Sequence, residues 1–433
     1  MPQAALIFGC CKVGSMKARF IRYMLQLHQR LWARPLLYCI VAVFASLLAR
    51  AADYGALGAL LPEITPDTIE TLLTIISSSM LAVATFAVGS MIASYASASA
   101  SATPRAFTLV LADDVSQTAL SSFIGAFIFS IVSIVALKTG LYDRGGHFVL
   151  FILTLAIFAW VVLTFVRWVD NIARLGRLGT TIDKAEAAAL ASLKARRLMP
   201  FLGGVAKTSA NTLQGTAAFS ARIGYVQYID IKALQHLAEE HDLRIMVDAM
   251  PGAFLAPGRP LAILDRPGDI DEKVAAKIAD TFVIDGNRNF HDDPRFGLIV
   301  LSEIAARALS PAVNDHGTAI VITGRFVRLF AAWAEPMKKD EVTEEKYDRV
   351  IVPPLSLAEM FGDAFTAIAR DGAGIVEVGI RLQKAFVSLS TLDCPGFHEQ
   401  ARRHSALALD RAKDRLSLED DFARLQKIAR LLT

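Results

Sequence analysis

The chain has 433 residues, of which 54% are hydrophobic and 20% are charged, and its formal net charge is +3. This composition is more apolar than that of most soluble domains, and the small net charge excludes bulk affinity for nucleic acid. The four cysteines form no Cys-x-x-Cys pair, so we expect neither a disulfide framework nor a structural zinc site.

Residues 1–35 are predicted to form a basic amphipathic segment. Their cationic side chains interleave with apolar and aromatic ones, a pattern that favours a helix lying on the membrane surface. The cationic residues are Lys17, Arg19, Arg22, Arg30 and Arg34.

Residues 36–182 are predicted to form a transmembrane domain of four helices. A bilayer core requires about 20 apolar residues, and one of the segments lies in an uncharged stretch, from Glu70 to Arg105, that is too long for a single crossing. None of the four cores contains an Asp, Glu, Lys, Arg or His side chain, which disfavours an ion-coupled or proton-coupled pump. The segments are Leu36–Ala49, Leu72–Tyr95, Val115–Leu137 and Phe148–Val166.

The charges that flank these segments predict the orientation of the chain. Basic residues precede the first segment and follow the fourth, whereas the loop from Arg50 to Glu70 is acidic on balance. By the positive-inside rule, we expect a multi-pass inner (plasma) membrane protein with both termini in the cytoplasm. The excess length of the second segment is then expected to project on the cytoplasmic side.

Serine side chains give the second segment its polar chemistry. Four of them recur at steps of four, three and four residues, which places their hydroxyls on one helical face. This face indicates either close packing between helices or the wall of a pore. Four helices in one chain hardly enclose a lumen, so the pore interpretation requires a homo-oligomer. The pore-lining candidates are Ser79, Ser90, Ser94, Ser97 and Ser101.

After the membrane domain, residues 183–222 are predicted to form a linker helix, ended by Pro200, and a loop. Residues 223–323 alternate strand and helix patterns, which predicts an α+β domain. Within it, Met246–Leu264 resembles the small β-sandwich of biotinyl-lipoyl carriers, with two Pro-Gly turns. The attachment lysine of those carriers has no counterpart here, so this resemblance implies a β-fold without a prosthetic group.

The densest polar cluster of the sequence surrounds a helix predicted from about Arg295 to Leu309. A metal site is suggested by two carboxylates and two histidines, those of Asp292, Asp293, His291 and His316. Glu303 with His316 suggests an acid–base pair. Helix capping and an i,i+4 ion pair account for the same residues and are the favoured interpretation, so we expect no metal and no cofactor. The cluster comprises Asp292, Asp293, Arg295, Glu303, Arg307, Asn314, Asp315 and His316.

Residues 324–433 are predicted to be a helical region. A charged loop, Glu335–Tyr347, precedes four amphipathic helices with 3.6-residue spacing, which predicts a bundle. Four histidines are expected at the surface: His236, His241, His398 and His404.

Three blocks, residues 72–107, 224–264 and 292–320, resemble the bacterial predicted-membrane-protein family of domain of unknown function 2254. The segment ALSPAVND, residues 308–315, is the most specific piece. The resemblance implies a four-helix membrane region and a cytoplasmic C-terminal domain, and no established activity.

Three functions follow as hypotheses from these patterns. The leading one is a homo-oligomeric, channel-like or pore-forming protein in the lipid bilayer. The second is a membrane-anchored sensor or scaffold whose cytoplasmic domain binds a ligand or partner. The third, a membrane-bound enzyme using the polar cluster, is the least favoured.

Overall fold

The computed structural model describes residues 33–50, 62, 64–106, 108–109, 113–174, 177–266, 268, 271–336 and 346–432. The basic segment predicted for residues 1–35 lies almost entirely outside this range, as does most of the loop Glu335–Tyr347. The chain divides into two compact units, Met1–Thr181 and Ile182–Thr433.

The first unit consists of four helices among its described residues. Helix α3 is central and packs against the other three. Helices α2, α3 and α4 are long and apolar enough to cross a membrane, and α1 is a shorter apolar helix. The four predicted apolar segments are therefore confirmed as helices. Their bounds are Ala33–Ala49 for α1, Pro66–Ser101 for α2, Asp114–Lys138 for α3 and Arg144–Ile172 for α4.

Helix α2 runs without interruption through its serine- and alanine-rich half. Pro66 begins the helix, where its missing N–H group has no intrahelical partner to lose, and the 36 residues extend over about 54 Å. Its buried face carries large aliphatic side chains near the start, such as Leu73, and alanines with Met91 and Tyr95 later. The excess length of this segment is therefore helical.

The second unit contains two sheets. One has five strands in the order β1-β8-β4-β6-β2, with β8 parallel to both of its neighbours, and the other has three antiparallel strands in the order β5-β3-β7. The strands are Gly204–Ala206 (β1), Ala217–Ala218 (β2), Gly224–Ile229 (β3), Ile245–Val247 (β4), Phe254–Leu255 (β5), Ala262–Leu264 (β6), Phe282–Asp285 (β7) and Tyr347–Val352 (β8).

Both sheets share one hydrophobic core with helices α6 (Ile231–Glu240) and α7 (Glu272–Asp280). Val226 and Ile284 enter this core from the smaller sheet, and Ile245 and Val350 enter it from the larger. The strands β4, β5 and β6 of the carrier-like stretch are divided between the two sheets. Strands β4 and β6 therefore belong to the five-stranded mixed sheet, where β4 is parallel to β8 and antiparallel to β6, and β5 belongs to the antiparallel sheet.

Two parts of the sequence prediction for this unit are wrong. Strands β1 and β2 lie inside the stretch interpreted as linker and loop. Strand β8 begins at the last residue of the predicted charged loop and lies within the region predicted to be helical. Each of β1 and β2 has three residues or fewer, too short to produce an alternating pattern. All three strands are held by partners distant in sequence, which local periodicity does not report.

The remaining helices of the second unit form a bundle. Its centre is a group of phenylalanines, with Phe330 in ring contact with Phe361, Phe365 and Phe397. Helix α9 is also long and apolar enough to cross a membrane, yet Phe326 and Phe330 on it are fully buried in this bundle. The helices are α5 (Leu178–Leu198), α8 (Phe296–Ala308), α9 (His316–Ala334), α10 (Leu357–Asp371), α11 (Val376–Ser390), α12 (Phe397–Lys413) and α13 (Glu419–Ala429).

The four helices predicted at the C-terminal end are confirmed, but the predicted exposure of one histidine is wrong. His404, expected at the surface, is buried beside the rings of Phe361 and Phe386. Burial lowers the pKa of its imidazole to about 4, and the nearby charges of Arg403 and Arg411 act in the same direction.

Candidate functional site

A cleft of about 350 Å³ lies in the second unit and is lined by four arginines. Three chain segments form its walls. The turn between β4 and β5, Met250–Phe254, forms one wall, the residues before α8 form a second, and the segment that joins β8 to α10 forms a third. The arginines are Arg196, Arg259, Arg288 and Arg295.

Arg288 is held in the wall by a buried carboxylate. Its Nε donates to Oδ2 of Asp293 over 2.6 Å, and its guanidinium lies over the ring of Phe296 at 5.4 Å from the ring centroid. Asp293 is 1% exposed, and burial raises the pKa of its carboxyl although Arg288 opposes that effect. The ion pair leaves both terminal nitrogens of Arg288 without a hydrogen-bond partner within the described residues.

Gly252 allows Arg288 and Asp293 to approach the turn. Its φ of +92° belongs to the left-handed region that favours glycine, and a Cβ there would lie 2.4 Å from Oδ2 of Asp293 and 2.7 Å from Nη2 of Arg288. The Pro-Gly step is therefore required both by the backbone conformation of the turn and by the position of the ion pair.

Arg295 is held from the opposite side by helix α10. Its Nε and Nη2 donate to the two carboxylate oxygens of Asp363 over 2.6 and 3.2 Å, and its Nη1 donates to Glu359. Burial by itself would lower the pKa of Arg295, but the hydrogen bond and charge of Asp363 raise it. Such a two-pronged pair fixes the plane of the guanidinium.

Arg196 and Arg259 line the cleft without an ion-pair partner within the described residues. Arg196 is only 5% exposed, and its one hydrogen bond is a 3.4 Å contact from Nη2 to the carbonyl of Asp292. Burial lowers its pKa to about 10, against the charges of Asp293 and Asp292, so it remains protonated at neutral pH. Arg259, at the exposed rim, donates from Nη1 to the carbonyl of Phe254 over 2.9 Å.

Two helices begin at the cleft and add to its positive potential. Pro294 and Arg295 directly precede α8, and Ser356 is the N-cap of α10, where its hydroxyl accepts a hydrogen bond from the N–H of Glu359. Each helix N-terminus carries a partial positive charge of about half an elementary unit. The arginines and the two helix N-termini therefore place several positive charges and partial charges around the cleft.

The structure divides the polar cluster predicted from the sequence between the two ends of α8. Asp292, Asp293 and Arg295 lie at its N-terminal end by the cleft. Asn314, Asp315 and His316 follow its C-terminal end, about 20 Å away along 13 residues. The helix itself carries Glu303 and Arg307. Over the described residues, no group of three or more His, Cys, Asp or Glu side chains could hold a metal ion.

The second half of the cluster has a capping geometry. Asp315 is the N-cap of α9 and accepts hydrogen bonds from the N–H and the hydroxyl of Thr318 over 3.1 and 2.6 Å, which lowers the pKa of its carboxyl. The imidazole of His316 contacts Oδ1 of Asn314 at 2.9 Å. The predicted capping role of Asp315 is thus confirmed.

The serine candidates of α2 lie beside its buried face and not within it. Ser79 and Ser97 are exposed, and Ser90 and Ser94 are half-buried, whereas Ala87 is buried. The hydroxyl of Ser79 donates to the carbonyls of Ile75 and Ile76. The side chain of Ser101 is outside the described part. The first unit therefore leaves this flank of α2 largely uncovered.

The first unit buries other polar groups that the sequence analysis did not select. Tyr142 donates to the carbonyl of Ser46 over 2.9 Å, and the hydroxyl of Ser133 donates to that of Ser46 over 3.1 Å. Near the start of α3, Asn171 donates to Oδ2 of Asp113 over 2.7 Å. These bonds join α1, α3 and α4 through groups far apart in sequence.

The sequence analysis also missed Arg196, Arg259 and Arg288 as partners of Arg295. No motif joins the four arginines, because they come from three separate segments and only Arg288 and Arg295 are close in sequence. The available signals were the two Pro-Gly steps and Pro353-Pro354, which mark the turns that form the walls.

Comparison with known proteins gives a match to a family model. No curated protein and no solved structure matches the chain. The family model described as "Predicted membrane protein (DUF2254)" matches residues 28–388, well over half of the chain. The chain, with its long apolar helices, therefore belongs to the predicted membrane protein family DUF2254.

Proposed function

We propose that this protein is a membrane-anchored receptor, whose second unit binds a small ligand in the arginine-lined cleft. The observation that carries this proposal is the set of three guanidiniums, those of Arg196, Arg259 and Arg288, that line one concave site with unused N–H donors. Helices α2 to α4 supply the membrane anchor, with the second unit in the cytoplasm.

The architecture of the cleft favours a binding function over a structural one. A cluster that served only stability would pair each arginine with a carboxylate, because an unpaired buried charge is costly. Arg295 is paired in this way, whereas Arg196 is buried with a single long hydrogen bond. The donors left over are the groups that a bound ligand would satisfy.

A ligand screen on the full-length chain in a mild detergent tests the receptor proposal. The panel contains neutral sugars, amino acids, carboxylates and phosphorylated compounds. A ligand at 100 times its Kd is expected to stabilise the folded state by about 2.7 kcal/mol, or about 5 to 10 °C in Tm for a unit of this size.

A cleft-filling variant and a matched surface variant decide where a ligand binds. Leu355→Trp adds bulk to the cleft wall and is expected to abolish the rise in Tm. Leu431→Trp makes the same change at an exposed position outside the cleft and should leave the rise intact. The proposal fails if no class of compound stabilises the wild type, or if Leu355→Trp retains the full response.

A second candidate function is a homo-oligomeric, channel-like assembly. The uncovered flank of α2, with Ser79, Ser90, Ser94 and Ser97, supports it, because small residues let helices from several copies approach around a symmetry axis. In such an assembly, the serine hydroxyl groups of α2 would form the wall of a pore.

Two measurements test the pore. The first is the oligomeric state in detergent, where a monomer would eliminate it. The second is conductance in planar bilayers, which should fall when Ser94 and Ser97 are replaced by Leu, while Ile92→Leu, an exposed apolar change on the same helix, should have no effect. Unchanged conductance in the serine variant would show that α2 does not line a conducting path.

A further inference from the structure

We propose that the cleft binds a phosphate monoester that also carries a hydroxyl or amino group, with the phosphate between Arg196, Arg259 and Arg288 and the second group at Asp248. This inference rests on the receptor function proposed above and assigns the chemical class of its ligand.

The number of unused donors selects a phosphate. A guanidinium has five N–H groups, and each of the three arginines uses one nitrogen in the hydrogen bonds described above. A phosphate monoester presents three terminal acceptor oxygens and about two negative charges at neutral pH. Three guanidiniums around one site therefore match three oxygens, whereas a carboxylate has two oxygens and one charge.

Three carboxylates hold two of the arginines. Asp293 and Asp363 bind Arg288 and Arg295 without lining the cleft, and Glu359, which does line it, is paired with Arg295. They orient the guanidiniums in advance, so a ligand does not have to order these long side chains when it binds. Gly252 keeps this arrangement open, since a side chain there would collide with Asp293 and Arg288.

Asp248 gives the cleft a second, different recognition group. Its carboxylate is exposed, lines the cleft and has no hydrogen-bond or ion-pair partner in the part of the chain that the structure describes. A carboxylate accepts hydrogen bonds only, so it would repel a second phosphate and bind a hydroxyl or an ammonium group. The pairing of cationic and anionic walls thus selects a ligand that carries both kinds of group.

The size of the cleft supports a small ligand head. Its volume of about 350 Å³ is at the lower end of small-molecule sites. A compact phosphomonoester fills such a space, either as a free metabolite or as the headgroup of a lipid. Both sources share the chemistry inferred here.

Titrations of the full-length chain in detergent, followed by the shift in Tm, test the inference. The probes are inorganic phosphate, glycerol 3-phosphate, ethanolamine phosphate, unphosphorylated ethanolamine, and hexanoyl lysophosphatidic acid, a lipid phosphomonoester with one free hydroxyl, below its critical micelle concentration. Arg259→Gln removes one guanidinium at the exposed rim, where folding is least affected. This variant should weaken the binding of every phosphorylated probe roughly 10- to 100-fold, as expected for the loss of a charge-assisted hydrogen bond.

Two further variants separate the two halves of the site. Asp248→Asn should weaken the binding of ethanolamine phosphate at least severalfold, and it should leave the binding of inorganic phosphate unchanged or make it tighter. Arg370→Gln, which removes an exposed arginine paired with Asp371 outside the cleft, should alter neither. A response to glycerol 3-phosphate or ethanolamine phosphate assigns a soluble source. A response to lysophosphatidic acid alone assigns a lipid source, and both outcomes support the inference.

The inference is overturned if no phosphorylated probe raises Tm, or if Arg259→Gln leaves their binding unchanged. Stabilisation by an unphosphorylated compound of the receptor screen, abolished by Leu355→Trp, would retain the receptor function and reject phosphate as its ligand. Absence of any response from either set of compounds would reject both.

Discussion

Gly297 is a position in the second unit where one added methyl group has no room. It lies in the first turn of α8 against α5, and a Cβ there would be 2.4 Å from Cβ and 2.8 Å from Cα of Ala189. Both atoms belong to the wall of a facing helix, so neither can rotate away. Gly297→Ala therefore requires the two helices to move apart by about 1 Å to restore ordinary van der Waals contact.

The magnitude follows from two opposing effects. Alanine is favoured over glycine in a helix interior by about 1 kcal/mol. Overpacking of a well-packed contact costs about 1 to 3 kcal/mol, and a clash with a helix backbone belongs at the upper end. We expect Gly297→Ala to lower the free energy of unfolding by about 2 kcal/mol, which corresponds to a Tm lower by about 4 to 8 °C.

Gly362 provides a matched control for this prediction. It lies inside α10, and the nearest atom to an added Cβ is Oγ1 of Thr366 at 4.0 Å. Gly362→Ala keeps the gain in helix propensity without a clash, so its Tm should rise by about 2 to 4 °C. Thermal unfolding of both variants in detergent measures the pair. Equal shifts of the same sign would refute the close contact between α5 and α8.

Three further predictions concern buried polar groups. Because burial lowers the pKa of His404 from 6.5 to about 4, the wild type should lose up to about 3 kcal/mol as pH falls through that range, and His404→Leu should remove this loss; equal pH profiles of unfolding would contradict it. Burial alone would raise the pKa of Glu186, but the two arginines of α9 that bond it lower the value. Glu186→Gln should therefore cost about 1 kcal/mol above pH 5 and progressively less as pH falls below 4.5, measured by urea unfolding. In the first unit, Tyr142→Phe removes the hydroxyl that bonds Ser46 and should cost about 1 to 3 kcal/mol, measured as a lower Tm in detergent; an unchanged Tm would show that the network adds no stability.

The sequence predicted the helices of this protein well because their signals are local. Apolar runs of membrane length predicted α2 to α4, and apolar residues at 3.6-residue spacing predicted α8 and α10 to α13. Cap residues were equally readable, as Asp315 shows, since a cap acts on an N–H only three residues away.

The sequence did not predict the strands β1, β2 and β8 or the burial of His404. Strand pairing and burial both depend on partners far along the chain. The N–H of Arg349 on β8, for example, donates a hydrogen bond to Oε1 of Gln235 on α6, more than 100 residues away. A histidine on an amphipathic helix likewise gives no local sign of which neighbours will cover it.

The candidate site shows the same division. The sequence selected Asp293 and Arg295 because they lie in one dense polar stretch, and it grouped them with Asp315 and His316, which the rigid length of α8 carries to its far end. Arg196, Arg259 and Arg288 join Arg295 only after α5, the Pro-Gly turns and the start of α8 have packed together.

By itself the sequence determined the membrane character, the helices and their caps, because these depend on neighbouring residues. The tertiary structure alone decided which charges share a cleft and which of them keep unused donors, because that depends on contacts between distant segments.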